Sequence, residues 1–308
     1  MAISEGYHRQ VTNMVRLLPL VQSEECFALK GGTAINLFVR DLPRLSVDID
    51  LAYLPIEERA VSLKNIEEAL LRIAEAATKT LPGTRTTVSR LKDEGSVAKV
   101  LVHFQHEHIK LEVTPVLRGS IEPPQIKSVS PRVAEEFGFA ELQVLSLADL
   151  YGGKLVAALD RQHPRDLFDV QELLAHEGIT DEIRNAFIVY LISHNRSFHE
   201  VLAPNRRDVA HEFGNHFEGM TDKPVGLEQL YDARETLINE ITGNMPDNHR
   251  AFLRSFLNGH PEWTLLSTPE VANLPAVRFR MQNLQKLIEG NPEKHQEQHD
   301  KLEALFKS

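Results

Sequence analysis

One cysteine, Cys26, stands in 308 residues, so no internal disulfide can form and the fold has to be held by its core. Cys26 lies in an apolar run, which predicts a buried thiol in a reducing compartment. Missing too is any apolar stretch of roughly 20 residues, the length needed to span a bilayer. The opening residues MAISEGYHRQ carry polar groups where a secretory leader needs an apolar core. A cytoplasmic location and no membrane partner are the expectation. Positive charge is also in short supply. Against 44 acidic residues stand 34 basic ones, a net charge of -10. That balance excludes a protein that grips polyanions through its overall field, so any nucleic-acid partner has to meet a local basic patch. Glycine and proline are not gathered into a linker, and no internal repeat or low-complexity run appears.

What remains is an ordinary globular balance, 42% apolar and 25% charged, in a chain long enough for two domains or one large one. Residues 5–18 place Val11, Met14, Val15 and Leu18 on one helical face, with Pro19 as the expected stop. CFAL reads as a strand ended by Gly31-Gly32, Thr33 is placed to cap a short helix over AINLFVR, and SVDIDLAYL reads as the next strand. A helix from about 57 to 79 follows. TRTTVSRL, VAKVLVHF and HIKLEVTPV read as strands of a mixed sheet, the last two joined by a hairpin around Gln105 to Glu107. After the Pro-bearing stretch EPPQIKSVSPR the pattern turns helical, beginning at SLADLYGGKLVAALD, where Ser146 and Asp149 form an S-x-x-D helix start. Helical spacing then recurs in 164–176, 180–194, 226–242, 247–258, 276–289 and 293–306. The predicted fold is α+β, a mixed β-sheet with flanking helices followed by a helical C-terminal domain. The boundary falls between about 180 and 205 and is drawn to give residues 1–190 and 191–308.

Two carboxylates at i and i+2 on a strand share a face, with Cα atoms about 6.5 to 7 Å apart, so Asp48 and Asp50 can converge on one or two divalent cations. A D-x-D alone is common on half-exposed strands; the segment before it raises the case for a site, although Gly31-Gly32 also fits a plain tight turn needing positive φ. Gly31-Gly32 running into a helix N-terminus presents backbone N–H groups and the positive end of a dipole, both suited to phosphate. Oxygen ligands that leave room for phosphate point to magnesium. Glu112, on the polar face of HIKLEVTPV with Lys110 and Thr114, either joins the aspartates or pairs with a neighbouring lysine. Further on, Gly152 and Gly153 each cost about 1 kcal/mol against alanine in a helix, which predicts that something approaches the backbone beside Lys154. Arg161 and Arg165 add cations suited to phosphate oxygens. RQHPRDLFDV reads as a helix N-terminus with Pro164 in its first turn, which accounts for Asp166 better than for Asp169. The 14 histidines are scattered without the context of a zinc site, and zinc is assigned no role.

The order G-G-[S/T], a D-x-D about 15 residues on and then an acidic strand residue resembles the nucleotidyltransferase superfamily of DNA polymerase β. Thr33 stands where serine is common and keeps the hydroxyl. ADLYGGKLVAALDRQHPRDLFDVQEL is similar to the K…R…RDxxD element of the AbiEii/AbiGii-type nucleotidyltransferase toxins, a family that includes the MenT toxins. PEWTLLSTPEVANLPAVRFRMQNLQKL resembles that group's C-terminal motif. The resemblance implies a magnesium-dependent enzyme of a toxin–antitoxin pair that transfers nucleotides from an NTP to an acceptor hydroxyl and releases pyrophosphate. Asp48 and Asp50 would bind metal, and Glu112 would complete the cluster or act as base. Gly31, Gly32, Thr33 and Ser46 would position phosphates. Lys154 would contact the triphosphate, Arg161 would neutralise charge, and Asp169, or else Asp166, would be the later essential aspartate. The 3′ end of tRNA is the implied acceptor, with Arg278, Arg280 and Lys286 as a local basic cluster, and a cognate antitoxin is the implied protein partner. Two other readings fit the same residues: transfer to a small molecule such as an aminoglycoside, or a non-catalytic binding protein whose D-x-D only caps a strand.

Overall fold

A computed structural model describes residues 5–92 and 95–307. By its contacts the chain divides into one unit formed by Met1–Leu150 with Gly219–Pro224 and a second formed by Tyr151–Glu218 with Val225–Ser308. The division falls one turn into a helix, N-terminal to the boundary drawn from the sequence. Apolar spacing cannot reveal such a division, because the helix keeps one continuous pattern through it.

The first unit is a mixed sheet with helices. Its elements run α1 (Glu5–Gln22), β1 (Phe27–Lys30), α2 (Gly31–Ala34) continuing as a π-helical turn over Ile35–Val39, β2 (Asp48–Tyr53), α3 (Arg59–Thr80), β3 (Arg85–Arg90), β4 (Val97–His103), β5 (His108–Arg118), β6 (Gln125–Ser128), α4 (Pro131–Phe137), β7 (Glu141–Val144) and the start of α5 (Leu147–Arg161). Seven strands pair in the order β3-β4-β5-β2-β1-β7-β6. β2 runs parallel to β5 and antiparallel to β1, and β1 is parallel to β7. On β2 and β5 the alternation works as expected: Ile49, Leu51, Ile109, Leu111 and Val113 are buried in the core, which turns Asp48, Asp50, Lys110 and Glu112 to the other face. The hairpin between β4 and β5 closes where the sequence places it, with Phe104 N donating to Glu107 O at 2.8 Å.

Three local expectations are corrected. Pro19 does not stop α1, which runs on to Gln22. Its buried face holds Leu17, Leu18 and Val21, and that packing outweighs the backbone hydrogen bond a proline removes. The stretch read as a proline-bearing connection contributes β6, and β7 follows it; four-residue strands carry too little periodicity to register. Cys26 is only half-buried, although burial and the charge of Glu24 push its thiol up to about 11 and keep it protonated.

The segment Gly219–Pro224, a break between helices by sequence, belongs to the first unit. There Arg44 bridges Thr221, Leu45 N donates to Met220 O at 2.9 Å, and Arg132 pairs with Asp222 at 3.1 Å.

The second unit is helical among its described residues. It holds the rest of α5, α6 (Pro164–Ala175), α7 (Asp181–Ile192), α8 (Phe198–Leu202), α9 (Ala210–His216), α10 (Leu227–Ile238), α11 (Asp247–Leu257), α12 (Pro275–Gly290) and α13 (Pro292–Lys307). Trp263 packs its ring on Phe252 and Phe256 of α11 at 5.5 and 6.2 Å. Asn185 of α7 holds Thr268 at 2.8 Å, so the segment PEWTLLSTPE seats on both helices. Gly152 and Gly153 let α5 and α7 approach. A Cβ on Gly152 would stand 2.8 Å from the Ala186 carbonyl carbon, and one on Gly153 would stand 3.2 Å from the Tyr190 ring. What approaches the backbone beside Lys154 is therefore a neighbouring helix. Gly152→Ala, which gains about 1 kcal/mol in an exposed helix, should here lose about 1–3 kcal/mol by overpacking. Urea unfolding checks this, with Gly153→Ala losing less because the tyrosine ring can shift.

Candidate active site

The first cluster is built by strand register. Lys30 on β1 stands opposite Asp50 on β2, and Asp50 stands beside Glu112 on β5, while Asp48 stands beside Lys110. Three carboxylates thus share one face of two adjacent strands, with Lys30 beside them on a third. Lys110 reaches into them: its Nζ lies 3.6 Å from Asp48 Oδ2 and 3.1 Å from Glu112 Oε2. Lys99 of β4 lies 3.9 Å from the other Glu112 oxygen. Burial pushes the Asp50 carboxyl above its usual range, helped by the charges of Asp48 and Glu112 and opposed by Lys30 and Lys110. Burial alone would lower the Lys110 ammonium, but the bond to Glu112 and the charges of Asp48 and Asp50 outweigh it and leave it raised. Three ammonium groups, those of Lys30, Lys99 and Lys110, thus stand among the three carboxylates.

The turn before β2 is packed directly onto this cluster. Gly31 has φ +75, and a Cβ there would lie 2.8 Å from Asp50 Oδ2, so both conformation and space require glycine. A Cβ on Gly32 would lie 2.8 Å from Arg44 Nη2 and 2.9 Å from Ser46 Oγ. The helix begins at Gly31 itself, so Thr33 sits inside its first turn and does not cap it. The Thr33 hydroxyl is buried, donates to the Asp48 carbonyl and lies 3.0 Å from Ser46 Oγ. Thr33 therefore ties the helical turn to the start of β2.

A second cluster lies at the α5–α6 junction. Lys154 Nζ sits between Asp166 Oδ1 at 2.8 Å and Asp169 Oδ2 at 2.9 Å. Their side chains are 7%, 2% and 0% exposed. Arg161 adds two hydrogen bonds to Asp166 while keeping 61% of its own side chain exposed. Burial would raise the Asp166 carboxyl; Lys154 and Arg161 overcome that and hold it far below the usual carboxylate range. His163 caps α6 by accepting from Arg165 N at 3.1 Å. Both candidate aspartates therefore hold the same lysine, and geometry does not separate them.

The family profile described as "Nucleotidyl transferase AbiEii toxin, Type IV TA system" matches residues 13–280. The chain belongs to this family. Membership makes it a nucleotidyltransferase toxin of a type IV toxin–antitoxin system, with an NTP as substrate and an antitoxin as partner. A structural comparison places it beside MenT4, the nucleotidyltransferase toxin Rv2826c from Mycobacterium tuberculosis H37Rv, at a TM-score of 0.64 and 14% identity over 92% of this chain and 95% of that one. At that identity the likeness establishes a shared fold. A search of curated protein sequences returned no match.

The structure thus groups Asp48, Asp50 and Glu112 with the Gly31–Ser46 turn in the first unit, and Lys154, Arg161, Asp166 and Asp169 in the second. Among the described residues no three acidic, histidine or cysteine side chains form a ready-made metal cage, and no helix is long and apolar enough to cross a membrane. In the basic cluster of α12, Arg280 gives its guanidinium to the carbonyls of Asn195 and Arg196 at 3.0 and 2.9 Å, Arg278 donates to Asn273 at 2.8 Å, and Arg278 and Lys286 are exposed. Lys110 and Arg44 were missed as site residues. The i,i+2 spacing of Lys110 to Glu112 was visible, whereas nothing local marks Arg44 as the neighbour of Gly32.

Replacing Asp166 by Asn leaves Lys154 with half its buried counter-charge and should cost about 3–5 kcal/mol at neutral pH. Because the folded carboxyl is depressed, its stabilisation is fully present above the unfolded pKa of about 4 and is lost as pH falls below it. Chemical denaturation across pH 2–7 should show a shallower acid loss in Asp166→Asn than in the parent protein.

Proposed function

We propose that this AbiEii-family toxin is a magnesium-dependent enzyme that transfers a nucleotide from an NTP to the 3′-terminal hydroxyl of a tRNA, with Asp48 and Asp50 as the metal-binding pair. The observation that carries the metal assignment is the register: Asp50 is packed against Gly31 and lies beside Glu112, on the same face as Asp48. The donor set fits magnesium, since the ion takes oxygen ligands and is usually held by one or two carboxylates together with substrate phosphates. When bound, such an ion polarises phosphoryl oxygens and offsets the charge that develops as the bond to pyrophosphate breaks.

The chain's own residues orient and neutralise. Backbone N–H groups of the Gly31–Gly32 turn present donors to phosphate oxygens beside the two aspartates. Thr33 and Ser46 act behind the turn, fixing it to β2 through the Asp48 carbonyl. Glu112, tied to Lys110 and Lys99, serves as a positioning acid in this reading. The family resemblance assigns Lys154 to the triphosphate, and Arg161 is the cation of that cluster with the more exposed side chain. The tRNA acceptor rests on the resemblance alone, because the α12 arginines are engaged with the protein's own carbonyls and amides.

Asp48→Ala or Asp50→Ala should abolish labelled-NTP incorporation into total RNA, and Asp48→Ala should do so while changing the melting temperature by only a few degrees, since the Asp48 side chain is 41% exposed. Retained incorporation would remove the metal assignment. Label appearing in a small molecule or a protein, with tRNA bearing an intact 3′ end left untouched, would replace the acceptor and leave the transfer chemistry in place.

A further inference from the structure

Lys110 lies within ion-pair range of two members of the carboxylate group, and its geometry has a direction. Its Nζ is nearer to Glu112, at 3.1 Å, than to Asp48, at 3.6 Å. Glu112 also has Lys99 at 3.9 Å, so it remains neutralised whichever way Lys110 leans. On the parallel ladder Lys110 stands directly beside Asp48, where the ammonium supplies positive charge to the same carboxylate that the metal assignment needs. A divalent ion arriving alone meets that ammonium as a repulsive neighbour a few ångströms away, a cost that falls with distance and solvent exposure. A nucleoside triphosphate brings further oxygen ligands and several negative charges, which outweigh a single ammonium.

We propose that Lys110 is an electrostatic placeholder: held by Glu112 within ion-pair range of Asp48, its ammonium opposes a divalent cation at Asp48 and Asp50 and thereby keeps metal affinity low until the triphosphate arrives. This rests on the assignment of the metal to the two aspartates. Glu112 gains a defined role as the acceptor that holds Lys110 beside Asp48. Metal and nucleotide then bind cooperatively, because each removes an obstacle to the other.

The test is Mn2+ binding, followed by electron paramagnetic resonance, on the full chain with and without a non-hydrolysable NTP analogue. Without nucleotide, Lys110→Met should bind Mn2+ about tenfold tighter than the parent protein or more, as expected for removing one cation close to a divalent ion. Lys110→Gln should agree with it, which guards against a folding defect in either variant. Lys110→Arg, which keeps the charge, should stay within about twofold of the parent. Lys99→Met, which removes a cation of equal charge that touches only Glu112, should also stay within about twofold. With the analogue present, parent and Lys110→Met should converge. Equal nucleotide-free affinity in the parent and both neutral variants, with Asp48→Asn abolishing binding, would overturn the placeholder and leave the metal site standing. Equal tightening by Lys99→Met would overturn it too, by reducing the effect to general charge. If Mn2+ fails to bind parent and variants alike, even with the analogue, both the metal assignment and the placeholder fall.

Discussion

The carboxylate of Asp50 occupies the space where a side chain on residue 31 would begin, and the geometry of the turn between β1 and β2 follows from that contact. Because residue 31 is glycine with positive φ, the chain leaves β1 and enters a helical turn at once, with no intervening loop. The turn then lies over β2, within reach for Thr33 to donate to the Asp48 carbonyl and for Gly32 to accept Arg44 and Ser46 at its back. Turn and acidic strand are consequently one rigid piece. Groups that must hold a phosphate and a cation at fixed separation lose little by being pinned in this way, because the ordering cost is met during folding.

The sequence made the central strands legible because they are patterned on both faces. Ile49 and Leu51, like Ile109, Leu111 and Val113, are apolar at period two, and their intervening acids declare the opposite face. The D-x-D, the glycine pair and the third carboxylate could all be placed from that alternation. The parallel register that sets Glu112 beside Asp50 could not, since it depends on strand order in space. The short strands β6 and β7 escaped for the same reason: they are defined by pairing with each other and, for β7, with β1. Gly152 and Gly153 were singled out by their helical cost, and the structure supplies the cause in α7. Arg280 was legible as a cation but not as the donor that closes the turn after α7, a contact that joins residues far apart in the chain.

The two ion clusters belong to different electrostatic regimes. Around Asp48 and Glu112 the pairs are partly solvated, so each is worth little to stability and can be exchanged for other partners. Around Lys154 the charges are almost wholly enclosed, and each depends on the others to avoid an uncompensated buried ion. Solvated pairs suit a place where ions come and go; enclosed ones suit a place that has to keep its shape. A loss of activity on changing Lys154, Asp166 or Asp169 therefore mixes chemistry with folding, and thermodynamic measurements have to accompany the kinetic ones.

The return of Gly219–Pro224 to the first unit makes that unit discontinuous in the chain. Its backbone pairs with Pro43, Arg44 and Leu45, the residues that lead into the acidic strand through Ser46. A nascent polypeptide that has exposed β1 through β7 still lacks this strap. On the ribosome, the approach to the D-x-D is completed only after more than 70% of the protein (219 of 308 residues) has been made, so for a chain whose finished form is a toxin, the last support of the segment leading into its acidic strand arrives well after the strand itself.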